Sequence, residues 1–390
     1  ARRDMVYVDQ RGTGDSNPLA CERDRRPRSI ADSVDPARAV ALLGACVERL
    51  AARADTRQYA TWIAMGDLDA VRAALGAERI NLWGGSYGTR AALEYLRQFP
   101  QRVRSVVLDG AAPATMALPA SFAVDSETAL RVLLAACEAD KACKGQYPQL
   151  DSDLSRLLFI ADRSTRIGVT HPLTGESETL LLDRTVLAGL LRAPLYPPQL
   201  GAVLPFALAQ AGRGNYDPLM ALSAAMSSRA GENFAEAMHF AVVCAEDMPR
   251  IDAPRRAAAA ATRFGAGFID LYERACSHLA VRTVPAAFYS PPAADVPVLL
   301  LSGGADPATP LRHADTVART LPRALHLVAP NLGHGVPHHG CAPELIARFV
   351  RQADAPGRGP FAGIEDGKDA GCLTRLPAPL AFRPPAFVSP

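Results

Sequence analysis

Ser86 stands at the centre of Gly84-Gly85-Ser86-Tyr87-Gly88, a Gly-x-Ser-x-Gly run. This pattern fits a sharp strand-to-helix turn that lifts a hydroxyl clear of a sheet. So tight a turn strains the serine backbone, and side chains at Gly84 and Gly88 are expected to collide with the neighbouring chain. The following helix points its N-terminus at the same place, so the backbone N–H of Tyr87 can hold an oxyanion. A serine hydroxyl is a poor nucleophile at its free pKa and needs a base within reach. His334, in Asn331-Leu332-Gly333-His334-Gly335, is the candidate base. Asp306, in Gly303-Gly304-Ala305-Asp306-Pro307, is the candidate carboxylate that fixes the imidazole tautomer and stabilises the imidazolium. Asp109, at the end of another apolar run, is the rival acid in a weaker context.

The elements that must position these residues are readable around them. Residues 80–83 form an apolar, strand-like run, and residues 89–99 carry apolar positions at helical spacing up to Pro100. Residues 103–108 make a further strand, and residues 296–302 (VPVLLLS) fit a buried parallel strand. Pro310 opens a helix over 311–321, and residues 324–328 make the last strand. Asp306 and His334 each fall just past a strand end, as Ser86 does, which is where sites gather in open α/β sheets. From residue 113 to 290 the strand rhythm gives way to helical patterns over 126–137, 184–191, 198–211 and 253–276. Pro291-Pro292 marks a return to the first architecture, and a helix spans 343–352. The expected organisation is an α/β core at 1–112, a mainly helical insertion at 113–290, and a second core part at 291–390. The Pro- and Gly-rich tail from Ala353 is expected to wrap the surface with Cys372 as its anchor.

The order nucleophile, acid, histidine is that of the α/β hydrolases. Met5-Val6-Tyr7-Val8-Asp9-Gln10-Arg11-Gly12-Thr13-Gly14, the elbow, Ser105-Val106-Val107-Leu108-Asp109-Gly110, Gly-Gly-Ala-Asp-Pro and the late Gly-His-Gly resemble the α/β-hydrolase serine peptidases. Within these the chain looks similar to the secreted tripeptidyl aminopeptidases and their sisters, the prolyl aminopeptidases. The resemblance implies a mostly parallel sheet with helices on both faces, an inserted helical cap, and the triad Ser86, Asp306 and His334. It also implies a His-Gly-Gly-Pro-Gly type oxyanion loop, early strands and a first helix upstream of Ala1, so the chain is expected to be a piece of a longer protein. In the cap, Glu246 and Asp247 follow an apolar helical run, and by resemblance they would receive the free α-amine of a substrate.

Composition fits that picture. The net charge is +2, which points to neither nucleic acid nor an anionic membrane as partner. No apolar stretch is long enough to span a bilayer. The eight cysteines form no Cys-x-x-Cys pair. Cys137 and Cys143 are close enough to bridge, Cys21 and Cys46 flank a polar stretch after the first strand, the apolar run at 5–8 that leads into Asp9-Gln10-Arg11-Gly12, and Cys244 with Cys276 and Cys341 with Cys372 would staple cap and tail. Connectivity stays open, because eight cysteines allow 105 pairings. A bridged set implies periplasm or exterior. His334, His338, His339 and Cys341 crowd together, yet His334 has a duty already and the others sit in a Pro/Gly-flanked loop, so no metal or other cofactor is expected. The expectation is a monomeric serine hydrolase that takes peptides with a free N-terminus and releases short N-terminal pieces through an acyl-enzyme. The alternatives are a carboxylesterase acting on small acyl esters and an inactive, truncated protein on a hydrolase fold.

Overall fold

Four short strands, each read from its apolar run, assemble into the sheet that carries the site. The computed structural model describes residues 3–21, 29–230, 234–353, 359–364 and 370–378. Strands β1 (Ile80–Gly85) and β2 (Val103–Asp109) precede a small hairpin of β3 (Thr165–Thr170) and β4 (Ser177–Leu182); β5 (Val298–Gly303) and β6 (Ala324–Ala329) follow. The main sheet has the order β1-β2-β5-β6 and every pairing in it is parallel.

Side chains alternate across this sheet, and both faces are covered. On one face Leu82, Val106, Leu108, Val298 and Leu300 pack with Tyr95 and Leu96 of the elbow helix Tyr87–Gln98 and with Val317 of helix Leu311–Ala318. On the other, Val107, Leu299 and Leu301 meet Leu345, Ile346 and Phe349 of helix Ala342–Gln352. β5 is therefore apolar almost throughout, and β2 is so over its stretch Val106, Val107 and Leu108, as their sequences indicate.

Several expectations change. Residues 5–8, apolar and read as a strand, pair with no strand among the described residues, and Tyr7 is 85% exposed. An extended run without a ladder partner leaves its backbone to water. The insertion holds the β3–β4 hairpin as well as helices: Ile167, Val169, Leu180 and Leu182 point inward, with Gly168 and an exposed Leu181 between them. Six-residue strands give too short an alternation to stand out against helical neighbours. Two expected helices break, into Pro198–Gly201 with Leu204–Ala211, and into Ala253–Ala260 with Gly267–Cys276.

The insertion builds its own apolar cluster around Leu157, Leu187, Leu191 and Leu208. Leu43, Cys46, Val47 and Leu50 of helix Pro36–Leu50, early in the chain, join a separate cluster with Ala241, Val242 and Cys244 of helix Glu236–Glu246. The early segment thus packs on the late part of the insertion.

The cysteines stand as Cys21–Cys46, Cys137–Cys143, Cys244–Cys276 and Cys341–Cys372, with Cα separations of 5.5, 5.1, 5.5 and 6.2 Å. None is free. Within the tail, Phe361 stacks on Phe349 and the Leu376 carbonyl accepts from Asn331, while residues 354–358, 365–369 and 379–390 lie outside the described residues. No described helix is long and apolar enough to cross a membrane.

Candidate active site

Ser86 sits between β1 and the helix Tyr87–Gln98 with φ +52° and ψ −119°, a conformation that non-glycine residues seldom adopt. Glycine at position 84 makes the turn possible: a Cβ there would lie 2.2 Å from the Gly88 carbonyl oxygen. Gly88 itself corrects the expectation, since a Cβ there would meet nothing within 4 Å. The Ser86 amide donates to the Asp109 carbonyl at 2.8 Å, which ties the elbow to the end of β2. The Tyr87 amide opens the helix and has no acceptor among the described residues, so it is available to an oxyanion.

Asp306 lies in the loop after β5, and His334 in the loop after β6. These loops can touch because β5 ends in glycine: a Cβ on Gly303 would fall 2.0 Å from the Gly333 carbonyl oxygen. His334 Nδ1 and Asp306 Oδ2 are 2.8 Å apart. The Asp306 carboxylate accepts three further hydrogen bonds, from the amides of Ala308 and Thr309 on Oδ1 and from the Thr309 hydroxyl on Oδ2, each at 2.8 Å. Burial presses its pKa upward, but the His334 bond and these amides outweigh burial and hold it below the ordinary value. For His334, burial pulls downward, and the Asp306 hydrogen bond and charge overcome it, so the net direction is up. The imidazole is therefore oriented and made more basic.

Asp109, the rival acid, is buried at the end of β2 and accepts from the Val336 amide at 3.0 Å; it makes no hydrogen bond to His334. A Cβ on Gly110 would come within 3.2 Å of His334 Cε1, so the histidine stands over the same strand end to which Ser86 is tied. No hydrogen bond joins the Ser86 hydroxyl to His334 among the described residues, a looseness common in free enzymes.

Glu246 and Asp247 are placed differently from expectation. Both are wholly buried and share one guanidinium, that of Arg90 on the elbow helix, at 3.4 and 2.9 Å. Glu246 also accepts the Thr61 amide at 2.6 Å. Arg90 sends its other nitrogen to the Met116 carbonyl. Neither carboxylate has an open face for a substrate ammonium in this structure; each is taken up by a cation of the chain itself. Burial pushes Glu246 up to about 7.

Four residues escaped the sequence reading. Thr309 braces Asp306; only the spacing of Asp306 to Thr309, suited to an Asx-type turn, could have suggested it. Gln10 and Thr61 hold the Tyr87 hydroxyl, at 2.9 and 2.8 Å. Tyr196, from the insertion, accepts the His334 amide on its carbonyl at 3.1 Å and sets its ring edge-on to the imidazole. No local pattern marks that contact.

The family model described as alpha/beta hydrolase fold matches residues 1–137. The chain has the α/β-hydrolase fold. A second model, described as TAP-like protein, matches residues 261–361, which carry Asp306 and His334. The chain is similar to the serine protease Hip1 of Mycobacterium tuberculosis, at 38% identity over 122 residues, 28% of this chain and 23% of that protein. It is similar to the tripeptidyl aminopeptidase of Streptomyces lividans, at 34% over 121 residues, 27% of this chain and 21% of that one. The proline iminopeptidase of Neisseria gonorrhoeae matches at 28% over 106 residues, 27% of this chain and 23% of that one. The chain spans less than a quarter of the length of the curated relatives it matches.

Proposed function

We propose that the protein is a serine hydrolase of the peptidase type, which releases a short piece from a peptide N-terminus through an acyl-enzyme. The observation that carries this reading is the hydrogen bond between His334 and Asp306, set over the strand end to which the strained Ser86 elbow is tied. In this reading His334 takes the Ser86 proton as the hydroxyl attacks the scissile carbonyl, and Asp306 stabilises the imidazolium. The Tyr87 N–H and the helix N-terminus hold the oxyanion. His334 then protonates the leaving amine, activates a water against the acyl-enzyme, and Ser86 is regenerated. The names of the relatives support peptide amides over simple esters as substrates. Four disulfides support a secreted or periplasmic location.

For Glu246 and Asp247 the burial favours a structural duty: they clamp the elbow helix to the insertion through Arg90. Recognition of the α-amine by Glu246 stays the rival reading, and it requires Arg90 to release the carboxylate.

The test uses a neutral fluorophosphonate and three substrates: a peptide anilide, its N-acetylated twin and a short acyl ester. The reading expects labelling that Ser86→Ala abolishes, cleavage of the free-amine anilide, and slow turnover of the acetylated twin. Absence of labelling overturns the hydrolase assignment. Efficient ester turnover with no anilide cleavage overturns the peptidase assignment.

A further inference from the structure

Arg192 ends helix Arg184–Arg192, four residues before the Tyr196 carbonyl that accepts the His334 amide. It therefore stands on the stretch of the insertion that rests directly on the catalytic-histidine loop. Its guanidinium carbon lies 4.1 Å from the centre of the Phe122 ring and 4.9 Å from that of Tyr196, and one nitrogen donates to the Tyr196 hydroxyl. The Tyr196 ring is in turn 5.4 Å from the imidazole of His334.

Arg192 has no anion of its own among the described residues. Arg184 pairs with Asp162, Arg256 with Asp270 and Glu273, and Arg263 with Glu127. No described carboxylate lies within ion-pair distance of Arg192, and its Nε is shielded from solvent with no acceptor at all. The acidic groups that reach this region are spoken for: Asp306 by His334, and Asp125 by Arg312 and His313. Nor does a second cation compete. His239, hydrogen-bonded to Tyr272 nearby, is pushed down to about 4 by burial, with the Arg192 charge adding to it, so it is neutral at working pH. A cation at a helix C-terminus gains a little from the helix dipole. That gain gives no reason to hold the guanidinium against two rings and leave one of its donors unmet.

We propose that Arg192 is a specificity-determining residue that binds a carboxylate of the substrate next to the scissile bond. This rests on the peptidase reading above and narrows it to peptides that carry a negative charge near the cut. The rings hold the guanidinium in place, and its charged N–H donors suit a planar carboxylate better than a round cation would. The carboxylate belongs either to an acidic side chain or to the C-terminus of a short peptide, and the two sources are separable.

The experiment measures kcat/KM for matched peptides in which Glu replaces Gln at the positions flanking the cut, and for short peptides ending in a free acid or an amide. Wild type, Arg192→Gln and Arg192→Lys are compared. The wild type should prefer one acidic twin by about ten- to a hundredfold, mainly through KM. Arg192→Gln should shrink that preference to near one, and Arg192→Lys should keep part of it because the charge remains without the fork. Preference for Glu peptides assigns the side-chain source; preference for free acids assigns the C-terminus. Equal cleavage of both twin sets by wild type overturns the proposal, and so does a preference that survives in a folded Arg192→Gln. The wild-type comparison decides alone if a variant fails to fold. Fluorophosphonate labelling of Ser86 in the same wild-type sample separates the two readings: labelling without an acidic preference fails only the Arg192 assignment, and no labelling fails the hydrolase reading beneath it.

Discussion

Two carboxylate clusters flank the elbow, equally buried and oppositely tuned. Asp306 accepts four hydrogen bonds and faces one imidazole. Glu246 and Asp247 share the single guanidinium of Arg90, and Asp247 Oδ1 has no well-formed hydrogen bond, although the Leu118 amide helps hold that residue charged. Burial pushes all three pKa values upward; only at Asp306 do the hydrogen bonds outweigh it, and only there is the net direction down. Burial alone therefore does not decide whether a carboxylate stays ionised. The number and aim of its donors do. Asp306 is built to remain an anion beside a base. The Arg90 cluster joins the elbow helix to the insertion, with both carboxylates pushed toward neutrality by burial.

The largest effect expected is on chemistry. Asp306→Asn should lower kcat/KM by about three to four orders of magnitude through the wrong histidine tautomer, while Asp109→Asn should lose far less. Steady-state kinetics on the peptide anilide checks this, and the reverse ranking would move the acid to Asp109. The next effect is on stability. Arg90→Met leaves two buried carboxylates without their cation and should destabilise the fold by about 3–5 kcal/mol in chemical denaturation. A loss below about 1 kcal/mol would mean the joint is not a joint.

A third effect is spread over the disulfides. Reduction should cost about 2–4 kcal/mol per bridge at most sites, less where the closed loop is short. Cys137 and Cys143 close a loop with a sequence separation of 6, against 32 for Cys244 and Cys276, so the latter pair should matter more. Thermal unfolding of paired Cys→Ser variants ranks them.

The smallest effect sharpens the comparison by pH. Burial raises the folded Glu246 from its ordinary 4.5 to about 7, so the unfolded state gives up that proton more readily. Its contribution makes stability fall as pH rises from about 4.5 to about 7 and level off above. Glu246→Gln should flatten that slope. Asp306 runs the other way: its contribution is present above the ordinary Asp range and is lost as pH falls through its lowered value. His334, raised above 6.5, adds stability below that value and loses it as pH climbs through the folded value. Denaturation series at several pH values would read both signs.

Much of the Asp306 side of this comparison was legible in the sequence. Continuous apolar runs mark buried parallel strands, and the residues just past their ends are where chemistry must lie. Gly84 marks a backbone that passes too close for a side chain, whereas Gly88, expected to do the same, meets nothing, and the close approach at Gly303 left no sign that was read. Little of the Arg90 side was legible. The acidic pair at 246 and 247 was visible, but its partner lies 156 positions earlier, so the sequence read as an open anionic wall what the fold closes as an ion pair. Tyr196 escaped for the same reason: it meets His334 only because the insertion folds back onto the loop after β6, and Arg192 comes near that loop through Tyr196. The apolar residues 5–8 misled in the opposite sense, because a strand pattern yields a strand only where a partner ladder exists.

The pH dependence of Ser86 labelling, in wild type and in Asp306→Asn, tests the central claim most directly. A neutral fluorophosphonate reports the activated serine without reference to substrate binding. If Asp306 raises the basicity of His334, the wild-type labelling rate should climb along a single limb whose midpoint lies above 6.5, the ordinary value of a free histidine. In Asp306→Asn the rate should fall by orders of magnitude and the limb should move to lower pH. Labelling in the variant at the wild-type rate, with the limb unmoved, would contradict the account.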